Sequence, residues 1–226
     1  MIDSAKLTLW YDFQAPFYHL WRDNYESSLV KELLSNLTPS DDVCKVLDAG
    51  CGTGLFSIAI AKKCPAWTIT GVDLSGGMIN VASKQARKYK LENAHFSQGD
   101  VTQLPNPPNI FDVVIAAGLF PNVVSTQQAL FELHRVLKPG GKLLIVEFDR
   151  LHMSPVSRLL VKSMIFGYKI FSTIVQKFRF SENWNINSST IEPTTFQQQL
   201  YDAGFQLGDI KSIQSHLVFN FSKQDS

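Results

Sequence analysis

A glycine-rich loop is the part of this sequence best suited to bind a ligand. It lies in the string VLDAGCGTG at 46–54, between an apolar run typical of a buried strand and a helical pattern. Its glycines are Gly50, Gly52 and Gly54. A turn of this kind brings backbone N–H groups and the positive end of a helix close to a ligand, so it predicts a nucleotide-type site. A tight turn with a purely structural role is the alternative interpretation.

The glycine spacing discriminates between two cofactors. A dinucleotide fingerprint, Gly-x-Gly-x-x-Gly, would have its third glycine at position 55, where this chain has Leu55. Asp48 stands just before the loop, and its carboxylate would repel a pyrophosphate but suit a ligand that carries an amino group and a sulfonium. These two residues favour S-adenosylmethionine over a nicotinamide dinucleotide.

Two acidic residues follow at the ends of the next two predicted strands. Asp73 is placed to accept hydrogen bonds from both ribose hydroxyls of a nucleoside. Asp100 is placed to accept from an adenine amino group, and the Val101 N–H is placed to donate to the ring. Leu74 and Met78 would enclose the base. The loop and the two acids, in order after three successive strands, are far more specific than the loop alone.

The elements that must position these residues alternate along the chain. Short apolar runs of β type lie at 43–48, 68–73, 94–98, 111–117 and 142–148. Helical patterns lie at 55–63, 76–90 and 125–137. This alternation predicts an α/β fold with a doubly wound, Rossmann-like parallel sheet. Ser125 and Gln128 form a capping-box pattern at the start of the last of these helices.

The two ends of the chain depart from that alternation. The aromatic-rich segment 1–40 predicts an N-terminal helical cap. After the fifth strand the alternation stops over 151–193, which predicts a helical insertion on the substrate side. It resumes with a helix at 194–203, and the runs at 206–213 and 216–221 predict an antiparallel hairpin at one sheet edge.

Composition limits the class of protein and of partner. A chain of 226 residues is long enough for one α/β domain, and we interpret 1–226 as a single domain. Its 21 Lys and Arg residues against 20 Asp and Glu give no electrostatic footprint for nucleic acid. Three cysteines without paired short spacing predict neither disulfides nor a metal site, and the polar start predicts no export. We therefore expect a cytoplasmic protein with a small-molecule partner.

Five strings of this sequence resemble the successive motifs of class I S-adenosylmethionine-dependent methyltransferases. They are VLDAGCGTG, GVDLSGGMI, GDV, FDVVIAAGLFPNV and HRVLKPGG, within 43–148. The resemblance is to the group that includes the ubiquinone and menaquinone biosynthesis C-methyltransferases. It implies a seven-stranded sheet in the order 3-2-1-4-5-7-6, with the last strand antiparallel.

The resemblance also implies roles for individual residues. Asp73 would bind ribose, Asp100 with Val101 would bind adenine, and the loop around Gly50 would surround the methionine part of the cofactor. The segment 117–122 would line the active site near the sulfonium, with Phe120 and Asn122 against the acceptor. The full set of predicted cofactor-binding residues is Tyr11, Asp48, Gly50, Cys51, Gly52, Asp73, Leu74, Met78, Asp100, Val101 and Ala117.

One position departs from the family pattern. Quinone C-methyltransferases of this kind carry an Arg-Asn pair after the fourth strand, whereas this chain has Pro121 and Asn122. The Arg that is implicated in deprotonating a phenolic ring is therefore absent. A second family region, rich in Tyr, Trp and Asn, is echoed only by 182–185.

Methyl transfer leaves no obligatory catalytic signature, because the carbon is already activated. Aligning the two reactants can lower the barrier by about 7–11 kcal/mol. A general base is required only where the acceptor must lose a proton, and the candidates are Glu147, Asp149 and His152. Tyr18, like Tyr11, would close over the cofactor. Each also has a structural alternative, as a strand-end, loop or packing residue.

The sequence does not identify the methyl acceptor. The segment 154–179 predicts a basic amphipathic helix, which would either contact an anionic membrane peripherally or form an ordinary lid over a lipophilic acceptor. A small lipophilic or aromatic acceptor is the leading hypothesis. The alternatives are a phospholipid-amine or natural-product N- or O-methyltransferase, and a partner subunit that binds S-adenosylmethionine without catalysis.

Overall fold

A computed structural model of the protein describes residues 4–22, 27–37, 43–148, 193–213 and 216–224. Its centre is one seven-stranded sheet. The strands are β1 (Lys45–Ala49), β2 (Thr68–Asp73), β3 (Ala94–Gln98), β4 (Phe111–Ala117), β5 (Leu137–Phe148), β6 (Phe205–Ile213) and β7 (His216–Lys223). They lie in the order β3-β2-β1-β4-β5-β7-β6. The predicted strand order is confirmed, as is the antiparallel pairing of β7 with both of its neighbours.

Six helices accompany the sheet within the described ranges. They are α1 (Ser4–Arg22), α2 (Ser27–Asn36), α3 (Leu55–Lys63), α4 (Gly76–Lys88), α5 (Thr126–Val136) and α6 (Pro193–Asp202), with a short 3-10 turn at Phe120–Asn122. Ser125 caps α5 by accepting a hydrogen bond from the Gln128 N–H at 3.2 Å, as its capping pattern predicts. Lys90 follows α4 with a φ of 55°, a left-handed conformation that a continuing helix excludes, so α4 is shorter than predicted.

The central strands are mostly apolar because helices cover both faces of the sheet. In β1, Val46 faces the layer of α2 and α3, while its neighbour Leu47 faces the layer of α5 and α6. Leu33 and Ile60 anchor the first layer, and Leu133 anchors the second, all of them fully buried. The sheet is thus held between two apolar layers, and only the strand ends are available for polar chemistry.

Several element bounds differ from expectation, and the difference in β5 has a physical reason. β5 begins at Leu137 rather than at 142, because Leu137 pairs with Phe111 in β4 ahead of an irregular step in the register. The Lys138 ammonium also donates to the Asp112 carboxylate at 2.6 Å, which holds this early part of β5 against β4. Further along the chain, α6 begins at Pro193 and β7 extends to Lys223.

Several predictions fall outside the described residues. They are the helical insertion up to residue 192, the amphipathic segment 154–179, the region 182–185, and the candidate bases Asp149 and His152. The single-domain interpretation of 1–226 stays a prediction as well. Among the helices that the structure describes, none has the length and apolar character needed to cross a membrane.

Candidate functional site

A cavity lies where the carboxyl ends of β1 to β4 meet α1. It encloses about 800 Å³ of space, counting the part that opens to solvent. The described residues that line it are Leu7, Thr8, Tyr11, Tyr18, Gly50, Gly52, Asp73, Leu74, Ser75, Met78, Gly99, Asp100, Val101, Ala117, Gly118, Leu119, Asn122, Val123 and Val124. The structure thus brings together residues from five separate stretches of the sequence.

The glycine loop forms one wall of the cavity. Gly50, Gly52 and Gly54 have φ values of 71°, 53° and 82°, which residues with a Cβ rarely adopt. The Gly50 N–H donates to the Val72 carbonyl at 2.8 Å, which ties the loop to β2. A Cβ at Gly50 would lie only 2.8 Å from the Leu119 side chain, so glycine is required both by the turn and by the close approach.

Asp73 is held in a fixed orientation at the end of β2. One carboxylate oxygen accepts from the Gly52 N–H at 2.8 Å, and the other accepts from the Ser75 N–H at 2.9 Å. The side chain is half-buried on the cavity wall. Two backbone donors therefore preset the carboxylate before any ligand arrives, which limits the reorganisation that binding requires.

Asp100 and Val101 form the next part of the wall. One oxygen of the exposed Asp100 carboxylate accepts from the Thr102 N–H at 2.8 Å and from its hydroxyl at 2.7 Å. Val101 is buried. This turn gives the chain after β3 a defined path along the cavity, and both residues line it.

A charged pair on α5, Glu132 with Arg135, supports that turn from behind. Arg135 donates to Glu132 at 2.7 Å and to the Leu104 and Asn106 carbonyls at 2.9 and 2.8 Å, while Glu132 accepts from the Leu104 N–H at 2.8 Å. The hydrogen bond from Arg135 lowers the pKa of Glu132. We refer to Glu132 and Arg135 as the clamp. The sequence analysis did not predict this pair.

Four predicted site residues lie away from the cavity lining. Asp48 is 1% exposed, and one of its oxygens accepts from the Ser57 N–H at 3.1 Å and hydroxyl at 2.6 Å, so it braces the first turn of α3. Cys51 is buried behind the loop, and burial raises the pKa of its thiol. Phe120 packs edge-on against Phe196. Glu147 lies within β5, where it pairs with β7.

The opposite wall comes from α1 and from the segment after β4. Tyr11 donates its hydroxyl to the Asn122 side-chain oxygen at 3.1 Å, and the Asn122 amide nitrogen donates to the Gly118 carbonyl at 2.9 Å. The rings of Tyr11 and Tyr18 meet edge to face at 6.3 Å. The N-terminal segment therefore closes over the cavity, as the aromatic-rich sequence predicts.

One residue beside this wall was missed by sequence reasoning. Asp12 lies on α1 next to Tyr11, and one of its carboxylate oxygens accepts from the Ser75 hydroxyl at 2.6 Å and from the Gly77 N–H at 2.7 Å. The sequence signal for this contact is the pair of glycines directly after Ser75. The first turn of a helix does not otherwise require glycine, so the pair indicates a close approach by another segment.

A family model described as a methyltransferase domain matches residues 40–188. This chain belongs to that family. It is a class I S-adenosylmethionine-dependent methyltransferase. The match spans the whole of the cavity except the part contributed by α1.

Curated relatives of the methyltransferase include two bacterial demethylmenaquinone methyltransferases. The one from Listeria welshimeri is 29% identical over 71% of this chain and 69% of its own length. The one from Geobacillus is also 29% identical, over 74% of this chain and 73% of its own length.

Solved structures of the same fold are more distant in sequence. A methyltransferase from Aquifex aeolicus is 17% identical with a TM-score of 0.65, and the superposition covers 98% of each chain. The [4+2]-cyclase SpnF is 19% identical with a TM-score of 0.68, covering 88% of this chain and 81% of its own. Since a cyclase shares the fold, the fold alone does not determine the reaction.

S-adenosylmethionine is the cofactor of this methyltransferase, and the cavity fits it on two structural observations. Asp73 offers a preset carboxylate at the wall, and a Cβ built on Gly118 meets nothing within 4 Å, so the backbone there borders open space. When bound, the cofactor supplies an activated methyl group. Within the described ranges, no group of three or more His, Cys, Asp or Glu side chains is arranged to hold a metal ion.

Proposed function

We propose that this methyltransferase acts on a small lipophilic or aromatic acceptor, and that quinols are the first class to test. The observation that carries the proposal is the character of the wall opposite Asp73. Among the described residues, its members are apolar or aromatic apart from Thr8 and Asn122: Leu7, Tyr11, Tyr18, Leu119, Val123 and Val124. A wall of this kind excludes water from an apolar acceptor but gives a highly charged one no partner.

The relatives favour a quinol within that class. Both methylate demethylmenaquinone according to their names, and each aligns with more than two thirds of this chain. Pro121 favours an acceptor that differs from that of the relatives, because proline supplies no guanidinium to assist loss of a phenolic proton. We therefore expect an acceptor that is more readily ionised than a simple phenol.

The cofactor roles of individual residues form part of the same proposal. Asp73 would bind the ribose hydroxyls, Asp100 and Val101 the adenine, and Met78 one face of the base. Tyr11 and Tyr18 would close over the cofactor and, with Asn122, would align the acceptor and keep water out. Alignment in a dry site is the main contribution that a protein makes to a displacement of this type.

A transfer assay with labelled S-adenosylmethionine tests the proposal. The panel contains reduced naphthoquinols, reduced benzoquinols, simple phenols, aliphatic amines and phosphatidylethanolamine. We expect label in the quinol products and little in the phenols. Label only in an amine would contradict the proposal and support the phospholipid-amine alternative. Tight cofactor binding with no label in any class would support a non-catalytic partner subunit.

Peripheral membrane contact through the basic segment 154–179 is a separate part of the proposal. Lys and Arg on one face of such a segment would attract anionic lipid, which suits an acceptor that resides in the bilayer. Sedimentation with vesicles of anionic and of neutral lipid tests it. We expect binding to the anionic vesicles that weakens with salt, and recovery in the supernatant at low salt would contradict it.

A further inference from the structure

The contact between α1 and the first turn of α4 includes one carboxylate with two hydrogen bonds. Asp12 accepts from the Ser75 hydroxyl at 2.6 Å and from the Gly77 N–H at 2.7 Å, with the same oxygen. The Ser75 oxygen in turn accepts from the Met78 N–H at 3.0 Å, so this hydroxyl caps α4 while its proton goes to Asp12. A negative charge at the N-terminus of a helix is also favoured by the helix dipole.

Gly77 makes this contact sterically possible. A Cβ at position 77 would lie 2.8 Å from the Asp12 Cα and 3.1 Å from its carbonyl oxygen, and both are backbone atoms that cannot rotate away. The neighbouring Gly76 differs, because a Cβ there would meet only the end of the Gln98 side chain, at 3.2 Å. The two adjacent glycines thus form a matched pair, of which only one is needed for α1 to approach.

The contact lies beside the cavity without belonging to its lining. On α1, Tyr11 precedes Asp12 and lines the cavity, as does Thr8 one turn earlier. On α4 and the turn before it, Leu74 and Met78 line the cavity on either side of Gly77. Asp12 therefore joins the helix that covers the cavity to the element that is predicted to contact the adenine.

We propose that Asp12, Ser75 and Gly77 form a latch that holds α1 closed over the bound cofactor. Asp12 is then a positioning residue for S-adenosylmethionine, which acts through α1 and does not touch the ligand. When the latch is broken, α1 separates more often from α4 and the cofactor leaves faster. The inference concerns retention of the cofactor and does not depend on the identity of the acceptor.

Four variants of the full chain test the latch: Asp12→Ala, Gly77→Ala, Asp12→Asn and Gly76→Ala. The dissociation rate of S-adenosylhomocysteine is measured by stopped flow, and its affinity by calorimetry, without any acceptor. We expect Asp12→Ala and Gly77→Ala to release the ligand at least about tenfold faster, as loss of a hydrogen bond to a charged group predicts. Asp12→Asn retains an acceptor oxygen and should stay within about threefold of the wild type. Gly76→Ala should behave as the wild type.

Hydrogen exchange of the ligand-free protein separates a latch from a general loss of stability. We expect faster exchange of the α1 amides in Asp12→Ala and Gly77→Ala, with β1, β2 and β4 unchanged. Wild-type release rates in both variants would overturn the proposal, as would equal damage from Gly76→Ala or faster exchange throughout the sheet. If Asp12→Ala does not fold, Gly77→Ala against Gly76→Ala decides the question by the same criteria.

Discussion

The two walls of the cavity are built in different ways. On the cofactor side, carboxylates at the ends of parallel strands are fixed by backbone donors: Asp73 is bonded to Gly52, 21 residues away in the same βαβ unit, and to Ser75, 2 residues away. On the acceptor side, the contact is between two side chains from remote segments, since Tyr11 and Asn122 are 111 residues apart.

This difference separates a wall held by main-chain donors from a wall held by side-chain contacts. Substitutions other than to proline leave backbone donors in place, so the cofactor wall depends on the path of the main chain around Gly50 and Asp73. Side-chain contacts between α1 and the 3-10 turn change whenever a contacting residue in either segment is substituted. The acceptor wall can therefore be altered without disturbing the cofactor wall, and four predictions test how independent they are.

The largest effect is expected where the two walls meet. Gly50→Ala should lower the free energy of unfolding by roughly 2–4 kcal/mol, because a left-handed φ is costly for alanine and its Cβ would displace Leu119. Gly118→Ala is the matched control, since its φ is 62° but a Cβ there meets open space. Urea denaturation compares the two. Equal losses would mean that the contact with Leu119 contributes nothing.

Asp73→Ala should weaken cofactor binding by roughly 1–3 kcal/mol, since it removes hydrogen bonds to a charged group. The Gly52 and Ser75 N–H groups also lose their partner, which places the expected loss toward the upper end. Calorimetry with S-adenosylmethionine measures it. Unchanged affinity would show that the ribose lies elsewhere.

Tyr11→Phe should have a smaller effect, confined to the acceptor wall. Loss of the 3.1 Å hydrogen bond to Asn122 is expected to cost about 0.5–1.5 kcal/mol, seen as a higher KM for the acceptor. The affinity for the cofactor should stay near the wild-type value. A double-mutant cycle with Asn122→Ala isolates the pair, and strictly additive effects would argue against coupling.

The smallest effect is expected from acid titration of the clamp. Because its hydrogen bond with Arg135 lowers the pKa of Glu132 below the usual 4.5, the stability that this gives is present above pH 4.5 and is lost as the pH falls through the folded-state pKa. Glu132→Gln should therefore flatten the decline of stability below pH 4.5. Urea midpoints between pH 7 and pH 3 measure it, and an unchanged acid decline would contradict the assignment.

Much of the scaffold and of the cofactor wall could be predicted from the sequence because their signals are local. The bounds of β2, β3, β4 and α3 agree with the apolar runs and helical patterns, since these elements are bounded by turns or caps in their own sequence. The strand order came from the family resemblance. Asp73 and Asp100 could be placed because a strand end fixes where a side chain lies.

The rest depends on contacts that no local pattern encodes. The position of Asp48 just before the loop predicts a contact with the ligand. In the structure its buried carboxylate instead accepts a hydrogen bond from the Ser57 hydroxyl. Asp12 and the clamp act on segments far away in the sequence, so neither could be recognised without the fold. Substrate-side predictions for 151–192 remain predictions.

The place of β7 in the sheet has a consequence for how the chain is made. β7 is the last strand to be synthesised, yet it lies between β5 and β6. Until residues 216–223 leave the ribosome, β5 therefore presents an edge of unpaired N–H and C=O groups along Leu143 and Ile145, two residues that are fully buried in the finished sheet. A chain truncated before His216 should consequently aggregate while the full chain stays dispersed, which light scattering would show.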